Sequence, residues 1–141
     1  MTTKKYEDFK VGDKAEHSKT VTEADVVLFA GISGDFNPLH INEEFAKKSQ
    51  FGKRLVHGCF SSALISAVIG MKLPGPGALY VSQISNFRKP VFVGDTLTAT
   101  AEVAEKFTKK EGTLKFLKIN TVVTNQNGVV VTDGEALVII M

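Results

Sequence analysis

The chain has 141 residues, 43% of them apolar and 23% charged, with a formal net charge of +2. That is the size of one domain, long enough to bury about two-thirds of its unfolded surface without cross-links. The composition excludes a disordered chain or a fibre, and the scattered lysines (Lys4, Lys5, Lys47, Lys48, Lys109, Lys110) give no basic stripe of the kind a nucleic-acid binder carries. No apolar run approaches the roughly 18 residues of a membrane span. The polar segment Met1–Lys10 has no signal-peptide core. Cys59 is the one cysteine, so no internal disulfide can form. We expect a single cytoplasmic domain over residues 1–141.

In chain order, an early strand is expected around Ala15–Val21. Thr22-Glu-Ala-Asp25 reads as a capping box: the Thr22 hydroxyl accepts a backbone N–H while Asp25 reaches back. Ala24, Val27, Leu28 and Ala30 to Ile32 give the helix that follows a rough apolar face, and Gly31, Ser33 and Gly34 weaken and end it. Asn42 then caps a segment with acids in its first turn, Glu43 and Glu44. A third helix is predicted over about His57–Met71. Its sequence is apolar or small on nearly every face, and a helix apolar all round belongs in a core. Gly70 and the Pro74–Gly77 stretch stop it. Strands rich in Val, Ile, Thr and Phe follow near Leu79–Phe87, Thr96–Phe107, Leu114–Thr124 and Val129–Ile140, with Asn127-Gly128 favouring a tight hairpin before the last. Alternation over Thr96–Val103 marks a strand with one wet face. The sum is an α+β layout, an antiparallel sheet with one central helix.

Two stretches carry chemistry. In Gly34-Asp35-Phe36-Asn37-Pro38-Leu39-His40, an acid and an imidazole flank an Asn-Pro turn. Proline biases Asn37 away from helix, so the segment can fold back and bring Asp35 and His40 to one site. Such a pair suits moving a proton on or off water. The same residues also fit a turn or Asx cap at Asp35 and a satisfied core histidine at His40, and the residues alone leave both readings open. In the second stretch, Leu55-Val-His57-Gly58-Cys59, the chain enters the central helix. First-turn amides have no intrahelical acceptor and lie at the positive end of the helix dipole. Gly58 leaves room for a carbonyl to approach them. Ser62, on the same helix, is placed to hydrogen-bond into the Asp35/His40 site, whereas Ser61 is read as packing with its hydroxyl bonded back. His57 is read as holding the start of the helix. No metal cluster, phosphate-binding glycine motif or cofactor fingerprint is present in the sequence.

At these residues the chain resembles the MaoC-like, R-specific enoyl-CoA hydratases. The match comprises Gly34 to His40, Leu55-Val-His57-Gly58, and Phe87-Arg-Lys-Pro90-Val-Phe-Val-Gly94-Asp95, and it runs from about Tyr6 to Val138. The Asp-x-Asn-Pro-x-His segment is the more specific; related thioesterases share the last one. The resemblance implies a hot-dog fold, a sheet wrapped round a long central helix. It also implies reversible syn addition of water to a trans-2-enoyl-CoA, giving an (R)-3-hydroxyacyl-CoA. By the same resemblance Asp35 and His40 activate the water and manage the proton destined for C2. Gly58 N–H polarises the thioester carbonyl, Asn37 shapes the turn, and Ser62 supports the pair. Ser66 and Ile69 are expected to line the acyl pocket, with a branched Ile69 suiting short to medium chains. Arg88 and Lys89 are placed to meet coenzyme A phosphates, although a basic pair on a wet strand reads equally well. No cofactor is implied, coenzyme A being part of the substrate. A homodimer or higher homo-oligomer is expected, since two sheets joined edge to edge remove an exposed strand edge. The rivals are a hot-dog acyl-CoA thioesterase, attacking the carbonyl instead of C3, and a non-catalytic acyl-CoA-binding subunit.

Overall fold

A computed structural model of the chain describes residues 3–141; Met1 and Thr2, the head of the expected domain, lie outside the described residues. After a single 3-10 turn at Tyr6–Asp8 come β1 (Lys14–Thr20), α1 (Glu23–Ser33), α2 (Pro38–Ile41), α3 (Glu43–Ala46), α4 (Gly58–Met71), β2 (Ala78–Phe87), β3 (Thr96–Lys109), β4 (Leu114–Thr124) and β5 (Val130–Ile140). The five strands form one antiparallel sheet in the order β1-β3-β4-β5-β2, so β1 and β2 are its edges. The period-2 pattern read in β3 is the one built: Leu97, Ala99, Ala101 and Val103 are all buried, and the residues between them face outward.

α4 lies across one face of this sheet and packs on β1, β2, β3 and β4. Phe60, Leu64, Ile65, Val68 and Ile69 are buried there, each contributing about 1.5–3 kcal/mol by leaving water. That anchoring fixes where the first turn of the helix sits. The expectation of a helix buried all round needs correcting. Only the 60/61, 64/65, 68/69 stripe is covered, while Cys59, Ala63, Ser66 and Gly70 are exposed. These outward residues are small, so they lower the polarity of the face without demanding cover. Sequence apolarity alone does not separate them from core.

The expected apolar face of α1 is also corrected. Val26 and Ala30 are buried, but Ala24, Val27, Leu28 and Ile32 point outward, Ile32 with 86% of its surface exposed. The helix is apolar on two sides, so periodicity could not choose between them. Its capping box is as read: Asp25 N–H donates to Thr22 Oγ1 at 3.2 Å and Thr22 N–H to the Asp25 carboxylate at 2.9 Å. A sheet with one long helix laid on its face and a short helical excursion before it is the hot-dog arrangement.

Candidate active site

α1 ends at Gly34, whose φ of 81° is a left-handed conformation that glycine adopts without strain. The chain therefore reverses directly into Asp35. Asp35 N–H donates to Ser33 Oγ at 3.1 Å, and Asn37 N–H donates to Asp35 Oδ1 at 3.1 Å. Asn37 in turn accepts Leu39 N–H on Oδ1 at 3.0 Å and caps α2, which Pro38 opens. Asn37 thus shapes the turn, and α2 carries His40 back toward Asp35. The segment before α4 completes the hold: Leu55 N–H donates to Leu39 O at 3.0 Å, and His40 Nδ1 donates to Leu55 O at 2.8 Å.

A carbonyl only accepts, so the His40 proton is assigned to Nδ1 by its partner, and Nε2 carries the lone pair. That Nε2 faces Asp35 Oδ2 at 3.9 Å. The gap is too long for a direct hydrogen bond, and one water oxygen about 2.8 Å from each fits between them. His40 is largely buried, with 13% of its side chain exposed, while Asp35 keeps 49%. The pair is open to a small reactant on one side and rigidly backed on the other.

Behind the pair lies His57, buried at 2% exposure. It begins α4 as the N-cap residue, as its sequence position implied. Its Nε2 donates to the Asp35 backbone carbonyl at 2.9 Å, and its ring stacks on that of His40 with centroids 4.0 Å apart. Donor atoms of Asp35, His40 and His57 all lie within 4.8 Å of one another. Those three residues are the only described group of that composition. His57 Nε2 already donates to a carbonyl, so Nδ1 is the one lone pair that His57 could offer a cation.

Gly58 opens the cleft. A cavity of about 410 Å³ is lined by His40, Gly58, Ser61, Phe87, Lys89 and Thr132, among others. The β2–β3 connection comes here because Val56 N–H donates to Val91 O at 2.8 Å, and Phe87 is set opposite Thr132 by the β2–β5 register. A Cβ on Gly58 would lie 3.1–3.2 Å from the Phe87 ring. The position is therefore tight against that ring, and its amide is one of the unpaired first-turn donors.

The remaining expected residues divide. Arg88 and Lys89 both line the cleft. Arg88 also bonds Asp133 from Nε at 3.1 Å to both carboxylate oxygens, an exposed ion pair of small worth that leaves its terminal nitrogens outward. Ser62 does not reach Asp35 or His40: its Oγ donates to Ser85 Oγ on β2 at 3.1 Å, because that face of α4 turns toward the sheet edge. Ser66 is exposed and Ile69 buried at 1%, and neither lines the cleft. Ser61, read as packing, is buried but does line it.

Arg54 escaped the sequence reading. It donates to Glu23 of α1 at 2.9 and 2.5 Å and to Glu43 of α3 at 2.9 Å, one residue before Leu55, whose N–H donates to Leu39 and whose carbonyl accepts from His40. Hydrogen bonds to Glu23 and Glu43 push the guanidinium further up, and the Arg54 bond holds the Glu23 carboxyl below its usual range. An isolated arginine between Lys53 and Leu55 gives no local signal, since its partners are 31 and 11 residues away.

This geometry, an acid and an imidazole 3.9 Å apart beside a glycine at a helix N-terminus on a hot-dog scaffold, suits the addition or removal of water. Residues 8–127 match the MaoC like domain model, and the chain belongs to that family. It is 46% identical over 135 residues to an (R)-specific enoyl-CoA hydratase of Rhodospirillum rubrum, covering 96% of this chain and 90% of that one. It is 45% identical to a 3-hydroxybutyryl-CoA dehydratase of Methylorubrum extorquens, covering 94% and 82%. Among solved structures, the unliganded R-hydratase PhaJ1 of Pseudomonas aeruginosa superposes with a TM-score of 0.88 at 43% identity, over 96% of this chain and 84% of that one.

Proposed function

We propose that this protein is an (R)-specific enoyl-CoA hydratase, a hydro-lyase that adds water reversibly across the C2–C3 double bond of a trans-2-enoyl-CoA. The observation that carries the reading is the 3.9 Å span between His40 Nε2 and Asp35 Oδ2, two acceptors separated by a gap that one water would bridge. As that water's oxygen bonds to C3, one of its protons passes to the pair, and the C2–C3 π electrons move into the thioester as an enolate. Gly58 N–H, at the positive end of α4, faces the carbonyl oxygen where that charge collects. C2 then takes a proton from the pair on the same face, which restores both residues and makes the addition syn. His40 is the stronger candidate for the first transfer, because its Nδ1–H bond to Leu55 leaves Nε2 free to accept. Lys89 and the outward nitrogens of Arg88 meet the coenzyme A phosphates at the cleft mouth.

The working form is a homodimer. β2 is an edge strand with Leu79, Val81 and Ile84 exposed, and α1 presents Val27, Leu28 and Ile32. Exposed apolar surface of this extent on an unpaired edge is a liability in a monomer. Cys59 is unpaired and exposed, which suits the cytoplasm, and no described helix is long and apolar enough to cross a membrane. The deciding assay follows loss of the conjugated enoyl absorbance of crotonyl-CoA, with a thiol reagent in parallel and chiral analysis of the product. Loss without thiol release, giving the (R)-3-hydroxy product, supports the hydratase. Thiol release from a saturated acyl-CoA supports the thioesterase, and binding without turnover supports the acyl-CoA-binding subunit.

A further inference from the structure

We propose that His57 is the positioning residue of this site, the one side chain that sets Asp35 and His40 relative to each other and to Gly58; the inference rests on the hydratase reading above. Three contacts converge on it. Its Nε2–H is the tether on the Asp35 carbonyl, at 2.9 Å. Its ring is the platform on which the His40 ring lies, at 4.0 Å and an interplanar angle of 30°. Its own carbonyl carbon is bonded to the Gly58 nitrogen, so its backbone also places the N–H assigned above to the thioester carbonyl.

The ring has no freedom to do otherwise. It is 2% exposed, and the Phe29 ring also packs on it, tilted, at a centroid distance of 4.8 Å. Nδ1 is buried with no hydrogen-bond partner among the described residues. Since Nε2 donates to a carbonyl, that unpartnered Nδ1 is the lone-pair nitrogen. Leaving a buried acceptor unpaired costs free energy that an apolar ring of the same shape would not. If His57 served packing alone, phenylalanine would fill the space at lower cost; what phenylalanine lacks is the tether. Asp35 is half exposed and follows a left-handed Gly34, so without the tether nothing buried holds its backbone.

The tether separates from the platform by substitution. His57→Phe keeps a flat ring and removes the donor. His57→Gln keeps an N–H donor and removes the ring. In metal centres, removing the partner that orients a ligand costs about 10–100-fold in affinity or activity, and a loss of that order is expected for an orienting partner here. We expect His57→Phe to lose about that factor in kcat on crotonyl-CoA with little change in KM, and His57→Gln to recover part of it. A double-mutant cycle is the sharper arm. Because His57 acts through Asp35, His57→Phe placed in an Asp35→Asn background should cost little more, as members of one catalytic unit are non-additive. Circular dichroism and thermal melts accompany each variant, and if His57→Phe does not fold, the donor-free and flexible His57→Met takes its place in the cycle. Wild-type kcat in the donor-free variant, or losses that multiply across the cycle, overturns the proposal and leaves His57 as packing. Absence of wild-type turnover on any enoyl-CoA overturns the hydratase reading instead, so the two failures are distinguishable.

Discussion

Gly58→Ala tests whether the thioester carbonyl is held at the start of α4. The added Cβ would sit 3.1–3.2 Å from three carbons of the Phe87 ring, against 3.4–4 Å for ordinary contact. The ring must therefore give by a few tenths of an ångström, and it can, because Phe87 is 53% exposed at the rim of the cleft. The stability cost belongs at or below the bottom of the usual overpacking range, about 1 kcal/mol. Alanine's better helix propensity offsets a cost of that size, so the melting temperature should move by no more than about 4 °C in a chain of this length. Activity responds to a different distance. The methyl narrows the cleft between Gly58 and Phe87, where the proposed carbonyl would reach the Gly58 amide, and a misplacement of about 1 Å at a reacting group costs roughly 10²-fold. Loss of the donor altogether costs about 10²–10³-fold. The expected outcome is a near-normal melt with kcat/KM on crotonyl-CoA lower by about 10²-fold. A Gly58→Ala protein that melts and turns over like wild type would refute the placement of the carbonyl, and with it the role given to the helix N-terminus.

Asp35→Asn keeps an oxygen to accept Asn37 N–H and so should fold normally, while turnover falls by at least about 10²-fold; near-normal rates would remove Asp35 from the mechanism. His40→Ala should lose as much, with retained circular dichroism; an unfolded variant would favour a structural role. The Arg54 clamp makes a pH prediction: the folded Glu23 pKa is depressed below the ordinary 4.5, so its contribution to stability is present above that pH and is lost as pH falls through the depressed value. Urea midpoints at pH 6 and pH 3.5 should therefore differ less in Arg54→Gln than in wild type, and equal differences would show the pair adds nothing. Light scattering at micromolar concentration should return twice the 15.3 kDa chain mass, and a monomer would contradict the dimer.

Much of the fold was legible because each local signal agreed with the global one. The Thr22/Asp25 box, the Val- and Thr-rich strands and the alternation of β3 all depend on neighbours within a few residues. The errors lie where burial is decided at a distance. Val27, Leu28 and Ile32 are as apolar as Val26 and Ala30, and only the position of α1 over the sheet decides which are covered. The same applies to α4: nothing in Ser61-Ser62 says that the first faces the cleft and the second faces Ser85 on β2, since one residue's step round a helix is about 100° and the identity of the facing strand is set by topology.

The site follows the same division, and the division explains why it works as a unit. Asp35, Asn37 and His40 were readable because their relation is made inside one turn, through Asn37 Oδ1 and the Pro38 start of α2. What holds that turn against the rest of the molecule was not readable: Leu55 on the His40 ring, His57 on the Asp35 carbonyl, Arg54 on Glu23 and Glu43. All three supports come from the four residues Arg54–His57 that lead into α4. That short segment is in turn fixed by Val56 on Val91 and by the buried stripe of the helix it precedes. The Asp35–His40 turn is therefore aligned to the Gly58 amide by one continuous piece of backbone. A perturbation of Arg54–His57 should consequently move the water-activating pair and the Gly58 amide together, lowering kcat more than KM, whereas a change at Arg88 or Lys89, outside that backbone, should act on coenzyme A binding alone.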